Sequence, residues 1–419
     1  MTPAKELPLT EQSLNEQSLN ESVTEEGAMS DLPVVNTHVH VPPNFSAFGT
    51  PTEVIEAAVA QGVRALGISN FYDQQVYARF DAEAREAGIV PLFGLEFITL
   101  DPALEADGVR VNDPANPGRI YFCGKGISPF KDKSDAAEAT ATEIRSGNDA
   151  RAEAMVSQLT EHFTQHGVPT ELDAATVAAA VAERGDVPPE WVSLQERHVA
   201  RAYQEVIADL PEAEQADAVA RVYGAPAKAH PGDAVATQGE IRSRLIKAGT
   251  PGFVPEVPLS FEDAYAYVLA MDGIPTYPIL ADGAPELSPF EWPPATLASH
   301  LVERGVYAAE LIPARNRSEV VTAYVEELTA HGIIVMGGTE HNTLDRISLD
   351  PACADGPLPD AARAAFFEAT CVVAAHQHLV AQGEPGYVDA TGGIATGTAA
   401  DAAARRAELA ELGAQLIGR

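Results

Sequence analysis

Short apolar stretches alternate with amphipathic stretches near the start of the chain and again after a long interruption. The first part predicts strands at 34–40, 63–69, 89–97 and 120–123, and helices at 51–61 and 73–87. The second part predicts helices at 260–271, 294–303 and 317–330, and strands at 274–280, 307–312 and 333–336. Strands that alternate with helices indicate a parallel α/β sheet or barrel. Seven strands that could lie parallel come close to a (β/α)8 barrel.

The rest of the chain divides into three further parts. Residues 134–256 follow an alanine-rich helical pattern, so we expect an α-helical insertion between barrel segments at 31–133 and 257–345. Residues 346–419 predict two helices, at 359–382 and 398–416, packed on the barrel. Residues 1–30 are polar and acidic and contain a tandem repeat of Glu-Gln-Ser-Leu-Asn, which predicts a disordered tail.

Composition narrows the possible partners. The chain has 419 residues, of which 46% are hydrophobic, which is enough to bury a core. It shows no apolar run long enough to cross a bilayer and no signal-peptide pattern, so we expect a cytoplasmic protein. With 61 acidic and 27 basic residues, the net charge of -34 argues against nucleic acid and anionic membranes as partners. This charge does not exclude small-molecule substrates, including small anions. The composition does not indicate the oligomeric state.

Three cysteines, Cys123, Cys353 and Cys371, are widely spaced and odd in number. They predict neither a disulfide framework nor a thiolate zinc site.

His38 and His40 are the most informative pair of residues. They end a β-branched stretch, and side chains two apart on a strand point the same way, so both rings can reach one ion. Asn44 and two prolines follow at once, which ends the strand where α/β folds bind their ligands. A second pair, His376 and His378, lies in a helical pattern, where residues two apart diverge, so we expect surface or packing histidines there.

Further polar residues follow the other predicted strands. In a parallel barrel the carboxyl ends of the strands meet at one face, so Glu96 and Glu340 are expected to join the two histidines in a site for zinc, manganese or iron. Alternatives stay open at each position: Glu96 as an ordinary strand-end carboxylate, Glu340 or His341 as a helix cap, and Lys125 as a solvated cation rather than an anchor for an anionic substrate.

Several segments together resemble the motifs of the PHP (polymerase and histidinol phosphatase) superfamily. They are His38-Val39-His40, Gly67 to Phe71, Gly94-Leu95-Glu96, Gly273 to Pro278, Glu310 with Asn316-Arg317, and Gly337 to Asn342. The resemblance covers about 31–130 and 258–345. It implies a distorted (β/α)7 TIM-like barrel, up to three metal ions and hydrolysis of phosphate esters by a metal-activated water.

The chain departs from the family at ligand positions. Ser69-Asn70-Phe71 stands where members commonly have Thr-Asp-His, Thr276-Tyr277-Pro278 stands for Ala-His-Pro, and Glu340-His341-Asn342 replaces a closing Asp-x-His. The site of His38, His40, Glu96 and Glu340 keeps its residue types, so we expect one divalent ion, with a second possible.

These residues lead to a functional hypothesis. We expect a metal-dependent hydrolase of a small anionic substrate, most simply a phosphoester. His341 is the predicted acid or base, and Lys125 or Arg315 is expected to hold the anionic group. Asn70, Tyr277 and Asn342 complete the predicted substrate site.

Two other classes stay open: a metal-dependent isomerase, lyase or decarboxylase acting on a sugar acid or hydroxy acid, and a non-catalytic ligand-binding protein. The insertion leaves after the fourth strand and is expected to cap the barrel mouth. Its basic cluster, Arg242, Arg244 and Lys247, either faces the pocket or, as we expect, forms a solvated helix face.

Overall fold

The computed structural model describes residues 32–418, so the predicted tail at 1–30 lies outside the described residues. Its strands are β1 (Val34–Val39), β2 (Val63–Ile68), β3 (Val90–Leu100), β4 (Arg119–Lys125), β5 (Leu259–Ser260), β6 (Ile274–Ile279), β7 (Ala308–Leu311) and β8 (Ile334–Gly337). Seven of them form one sheet in the order β1, β2, β3, β4, β6, β7, β8, and the short β5 pairs with β3. The sheet curls into a nearly closed barrel, which confirms the predicted distorted TIM-like fold.

Helices cover the barrel and form the insertion. They are α1 (Pro51–Ala60), α2 (Tyr77–Glu86), α3 (Pro102–Ala106), α4 (Asp135–Gln165), α5 (Ala174–Gly185), α6 (Glu196–Ala208), α7 (Glu212–Tyr223), α8 (Ala234–Ile241), α9 (Phe261–Ala270), α10 (Pro294–Glu303), α11 (Ser318–Ala330), α12 (Asp360–Val380) and α13 (Ala402–Ile417). A π-helical turn at Arg242–Ile246 continues α8. Among residues 32–418, no helix combines the length and apolar character that crossing a membrane requires.

β4 corrects the expectation that all seven strands could lie parallel. It runs antiparallel to both neighbours, so Cys123 faces Glu96 of β3 and Lys125 faces Ile274, the first residue of β6. A parallel connection needs a crossover that traverses the sheet, usually a full helix. The segment between β3 and β4 contains only the five-residue α3. The carboxyl end of β4 therefore lies at the opposite end of the barrel from those of its neighbours.

The last strand returns to the first and nearly closes the barrel. The amide of Glu340 donates to the carbonyl of His38 at 2.8 Å, and the amide of His40 donates to the carbonyl of Glu340 at 2.8 Å. Gly338 permits this approach, because a Cβ atom there would overlap the Cβ of His38. Gly337, which ends β8, and Gly338, which follows it, do not adopt positive φ, whereas Glu340 and His341 do, at 61° and 57°. The sharp turn expected from glycine is thus made by two residues with side chains.

α12 closes the other end of the barrel. Buried residues of α12 pack against residues near the beginnings of the strands, such as Val35, Ala65, Ile274 and Ala308. Gln377 of α12 accepts a hydrogen bond from the amide of Phe93 at 2.8 Å. The barrel is therefore open to ligands at only one end, where β1 and β3 finish.

The insertion has a hydrophobic core of its own, separate from that of the barrel. Helix α4 joins the two: Ala137 in its first turn packs in the barrel core, and Met155, Leu159 and Phe163 pack in the core of the insertion. At about 1.5 Å per residue, a helix of this length spans the barrel from one end to the other. The chain therefore leaves β4 at the closed end, and the insertion nevertheless lies over the open end.

Candidate metal centre

Three side chains converge at the open end of the barrel. His38 and His40 point to the same side at the end of β1, and Glu96 projects from β3. The Nε2 atoms of the two rings lie 3.4 Å apart. Oε2 of Glu96 lies 3.6 Å from Nε2 of His38 and 3.2 Å from Nε2 of His40. All three side chains are buried, so two imidazoles and one carboxylate share one location shielded from water.

Each imidazole is held through its other nitrogen. Nδ1 of His38 lies 2.6 Å from Oε2 of Glu310, and Nδ1 of His40 lies 2.8 Å from Oδ1 of Asn44. Both partner atoms accept, so each Nδ1 carries a hydrogen, and Nε2 is the atom of each ring that could bind an ion. Thr37 fixes Glu310 in turn by donating to its Oε1 at 2.6 Å. A histidine oriented by a carboxylate or amide in this way is typical of metal ligands.

Glu96 supplies the third donor. Its Oε2 is buried and has no hydrogen-bond partner among residues 32–418. Burial raises the pKa of Glu96, but His38 and His40 outweigh this and lower it to about 2. A buried carboxylate requires compensating positive charge, and a divalent cation bound to the three donors would supply it. The donor set fits zinc, manganese or iron with a coordination position left for water or substrate.

Lys125 lies beneath this cluster, which corrects the role predicted for it. The side chain of Lys125 is buried, and its Nζ lies 2.9 Å from Oε2 of Glu310. The Nζ atom also donates to the carbonyl of Thr37 at 2.9 Å and to Ser69 Oγ at 3.1 Å. It does not line the cavity described below, so it cannot anchor a substrate there. The reversed direction of β4 is the reason. Burial and Lys125 lower the pKa of His38, yet Glu310 and Glu96 raise it to about 9.

Glu340 is not part of the converging cluster. Its carboxylate forms an ion pair with Arg315, and its ligand atoms do not group with those of His38, His40 and Glu96. The backbone of Glu340 is nevertheless bonded to that of His38 and His40, so the residue stands beside the cluster and lines the same cavity. The structure thus brings together three of the four predicted ligands and directs the fourth towards an arginine.

His341 faces away from the cavity, in contrast to its predicted role as acid or base. Nδ1 lies 2.8 Å from Thr339 Oγ1, and Nε2 lies 3.1 Å from the carbonyl of Ile347. Its ring packs against Phe48 at 5.1 Å between centroids. Burial lowers the pKa of His341. Because both nitrogens are occupied by the protein, His341 supports the loop after β8.

Asn70 and Tyr277 also differ from the prediction that they bind substrate. Asn70 accepts from the amide of Val41 at 2.8 Å and donates to its carbonyl at 2.9 Å, so both ends of its amide hold the loop after β1. Tyr277 donates to Oε1 of Glu291 at 2.9 Å within the outer core. Neither side chain lines the cavity. Alternation along β6 turns Tyr277 outward, because Thr276 takes the inward position.

A cavity of about 400 Å³ lies between the open end of the barrel and the insertion. Glu96 lies in its wall, and so do Arg315 and Asn342, two of the predicted substrate residues. Six cationic side chains line the cavity: Arg119, Arg151, Arg197, Arg242, Lys247 and Arg315. Five carboxylates accompany them: Glu96, Asp113, Glu196, Glu256 and Glu340. In a chain with a net charge of -34, this wall is unusually rich in positive charge.

The basic cluster predicted in the insertion divides between two faces. Arg242 and Lys247 line the cavity, which corrects the expectation of a solvated helix face. Arg244 lies elsewhere: it pairs with Glu240 at 2.7 Å and stacks over the ring of Tyr223. Arg242 and Arg244 lie in the π-helical turn, and Lys247 follows it in extended conformation. The spacing of a regular helix therefore does not predict which of the three share a face.

Two residues of the site were missed as functional residues in the sequence. Glu310 ends a predicted strand and lies in one of the segments that resemble the PHP motifs. Its position at a strand end could have suggested that it orients His38. Asn44 gave no such signal, because it reaches His40 only through the fold of the loop that follows β1. Gln195 of the insertion donates to Asn44 at 3.0 Å, a contact between segments far apart in sequence.

Comparisons with known proteins reveal similarity at the level of structure. No family model matches the chain, and no curated protein sequence matches it. A proposed metal-dependent phosphoesterase from Bifidobacterium adolescentis superposes with a TM-score of 0.53 and 14% identity, covering 80% of this chain and 96% of that one. An amidohydrolase from Chromobacterium violaceum, solved with bound sulfate and no metal, has a TM-score of 0.50 and 19% identity, covering 76% of this chain and 93% of that one. The chain therefore shares the fold of these two proteins along most of its length.

Proposed function

We propose that the protein is a metal-dependent hydrolase of small anionic substrates, most simply phosphoesters, and a divergent relative of the PHP superfamily. One observation carries the proposal: the Nε2 atoms of His38 and His40 and Oε2 of Glu96 meet at one buried point, with both Nδ1 atoms held in place. The resemblance of the fold to a proposed phosphoesterase and an amidohydrolase supports hydrolysis as the class of reaction.

The position of each residue in the site indicates its role in the proposed reaction. His38, His40 and Glu96 would hold a divalent ion; when bound, such an ion lowers the pKa of a coordinated water and polarises a phosphoryl oxygen. Glu310 and Asn44 keep the two rings oriented. Arg315 lies in the cavity wall near Glu96 and Glu340, where its guanidinium can neutralise an anionic group of the substrate. The insertion shields the reacting groups from bulk water.

The buried ammonium of Lys125 supports a site with one ion rather than two. A second cluster of potential ligands consists of His38, Cys123 and Glu310. Lys125 already provides the positive charge that Glu310 requires, at 2.9 Å. A divalent ion at that position would meet an ammonium at close range. We therefore expect one ion per chain.

The experiment combines metal analysis with a screen for turnover. Purified protein is analysed for bound metal and then assayed on a panel of phosphate esters with added manganese or zinc. We expect about one ion per chain and turnover that Glu96→Gln reduces by roughly 100-fold or more, since it removes a charged ligand. Glu291→Gln is a matched control, because Glu291 is a buried carboxyl outside the cluster, bonded to Tyr277.

The outcomes separate the three functional classes. Turnover that depends on metal and on Glu96 supports the proposal. Bound metal without turnover of any phosphate ester contradicts it and favours the isomerase, lyase or decarboxylase alternative. A protein that binds no divalent metal contradicts it and favours a ligand-binding role.

A further inference from the structure

The wall that the insertion contributes to the cavity has more cationic groups than the carboxylates there can neutralise. Glu196 alone contacts three cations: Arg151 at 2.7 Å, Lys247 at 2.7 Å and Arg242 at 3.4 Å. The Nε atom of Arg242 is buried and has no hydrogen-bond partner among residues 32–418. A donor left unpaired in this way is costly unless a ligand accepts its hydrogen.

Arg197 stands beside this group without any carboxylate of its own. Its guanidinium forms no ion pair with a residue of the described chain, and it lies 5.9 Å from the centroid of the Phe45 ring. Burial lowers the pKa of Arg197 to about 10, and the neighbouring charge of Arg242 acts in the same direction. Two arginines that repel each other in a half-buried wall are typical of a site for an anion.

This wall is connected to the metal centre by direct contacts. Gln195, which caps α6, donates to Oδ1 of Asn44 at 3.0 Å and accepts from the amide of Phe45 at 2.7 Å. Asn44 in turn orients His40. The first turn of α6, which carries Arg197, is therefore fixed relative to the predicted ligands. Arg197, Arg315 and Glu96 line the same cavity.

We propose that Arg197 and Arg242 form a second oxyanion site, which binds a phosphate group of the substrate distinct from the group that reacts at His38, His40 and Glu96. The substrate class is then a small organic molecule with two phosphate groups, both of which lie within the cavity. This inference deepens the proposed function and rests on it for the identity of the reacting group. Arg315 lines the same cavity and is paired with Glu340.

The test uses inorganic phosphate as the probe and the full chain treated with a chelator, so that no metal contributes to binding. Calorimetry is expected to show phosphate binding to the metal-free wild type. Arg197→Ala and Arg242→Ala should each weaken it by roughly 10-fold, the effect of losing one charge-assisted contact. Arg244→Ala is the matched control and should bind as the wild type does, because it comes from the same turn but lies outside the cavity.

Each other result overturns the inference. It is wrong if metal-free protein does not bind phosphate, or if Arg197→Ala and Arg242→Ala bind as tightly as the wild type. It is also wrong if Arg244→Ala is as weak as they are, or if acetate at equal ionic strength binds as tightly as phosphate. Metal binding and ester turnover are measured separately, so failure of the second oxyanion site is distinguishable from failure of the proposed hydrolase.

Discussion

The chain contains two His-x-His pairs, and their side chains have different arrangements in the structure. At the end of β1, His38 and His40 point the same way and their Nε2 atoms lie 3.4 Å apart. On α12, His376 is buried and donates from Nε2 to the carbonyl of Asp272 at 2.6 Å, whereas His378 is exposed and accepts from Gln382 at 2.8 Å. The same three-letter pattern therefore makes a shared site in one place and two unrelated histidines in the other.

The difference follows from backbone geometry. Side chains two apart on a strand share a face, whereas on a helix they are separated by about 200°. The pair on β1 also gains a carboxylate, Glu96, whereas His376 contacts backbone atoms of Asp272 and Tyr387 and His378 contacts Gln382. A His-x-His motif is thus informative only together with the element that carries it. The following predictions test this contrast, from the largest expected effect to the smallest.

Replacing His38 should weaken metal binding more than any other change in this comparison. His38→Ala removes one of three donors and leaves Glu96 and Glu310 buried without their imidazole, so we expect metal affinity to fall by roughly 100-fold or more. Equilibrium dialysis followed by elemental analysis measures it. Unchanged metal content in a folded His38→Ala protein would refute the assignment of the site to β1.

Replacing Asn44 tests the support behind the pair. Asn44→Ala leaves the three donors in place but removes the acceptor at 2.8 Å that orients His40. We expect metal affinity to fall by roughly 10- to 100-fold, the range typical of residues that orient a ligand. The same dialysis assay applies, and thermal unfolding verifies the fold. An affinity equal to that of the wild type would show that His40 needs no orientation by Asn44.

Replacing His376 should change stability and its pH dependence without changing metal binding. Burial lowers the pKa of His376 to about 4 from 6.5, and its Nδ1 accepts from the amide of Tyr387 at 2.8 Å, which requires the neutral ring. Between pH 6.5 and 4 the unfolded chain binds a proton that the folded protein does not. The contribution of His376 is therefore complete above pH 6.5 and is lost as the pH falls towards 4.

Chemical denaturation of His376→Gln across this pH range measures the effect. At neutral pH we expect a loss of about 1–3 kcal/mol in the free energy of unfolding, because a buried pair of hydrogen bonds is disrupted. The stability of the variant should also vary less with pH than that of the wild type, by on the order of 3 kcal/mol across the range. A pH dependence identical to that of the wild type would show that His376 is not held neutral.

Replacing His378 should change almost nothing. The side chain is exposed, and its neighbour Gln382 can be solvated instead. We expect His378→Ala to alter the free energy of unfolding by about 0.5 kcal/mol or less and to bind metal as the wild type does. It is the matched control for His38→Ala, since it removes the same chemical group from the same sequence pattern. Loss of metal in His378→Ala would break the contrast between the two pairs.

The elements of the barrel could be predicted because their signals are local. The apolar stretches that give β1, β2, β3 and β6 to β8 are short and separated by amphipathic helices, and this pattern is sufficient for the fold class. The direction of β4 was not predictable from its own residues, because the hydrophobic pattern of a strand is the same in a parallel and in an antiparallel arrangement. The absence of a full crossover helix between Leu100 and Arg119 was the available signal.

The candidate site was predictable only in part, for the same reason. The two histidines are two residues apart, so strand alternation alone sets them on one face. Glu96 follows from its place on β3, which is separated from β1 by one strand. Glu340 was assigned by its position after β8, but its carboxylate turns to Arg315, which a sequence cannot reveal. Lys125 was expected above the barrel and lies beneath the histidines, because its strand runs backwards.

By itself, the sequence determined the local facts: where strands and helices form, and that His38 and His40 share a face. Tertiary structure decided which other groups complete the site. They are Glu310, which contacts His38, the arginines of the insertion, which line the cavity, and Asn44, which the folded loop after β1 brings to His40. The physical reason is the separation along the chain over which each kind of interaction acts. Backbone periodicity acts over a few residues and is written in the chain, whereas contacts between residues hundreds of positions apart depend on how all the elements pack together.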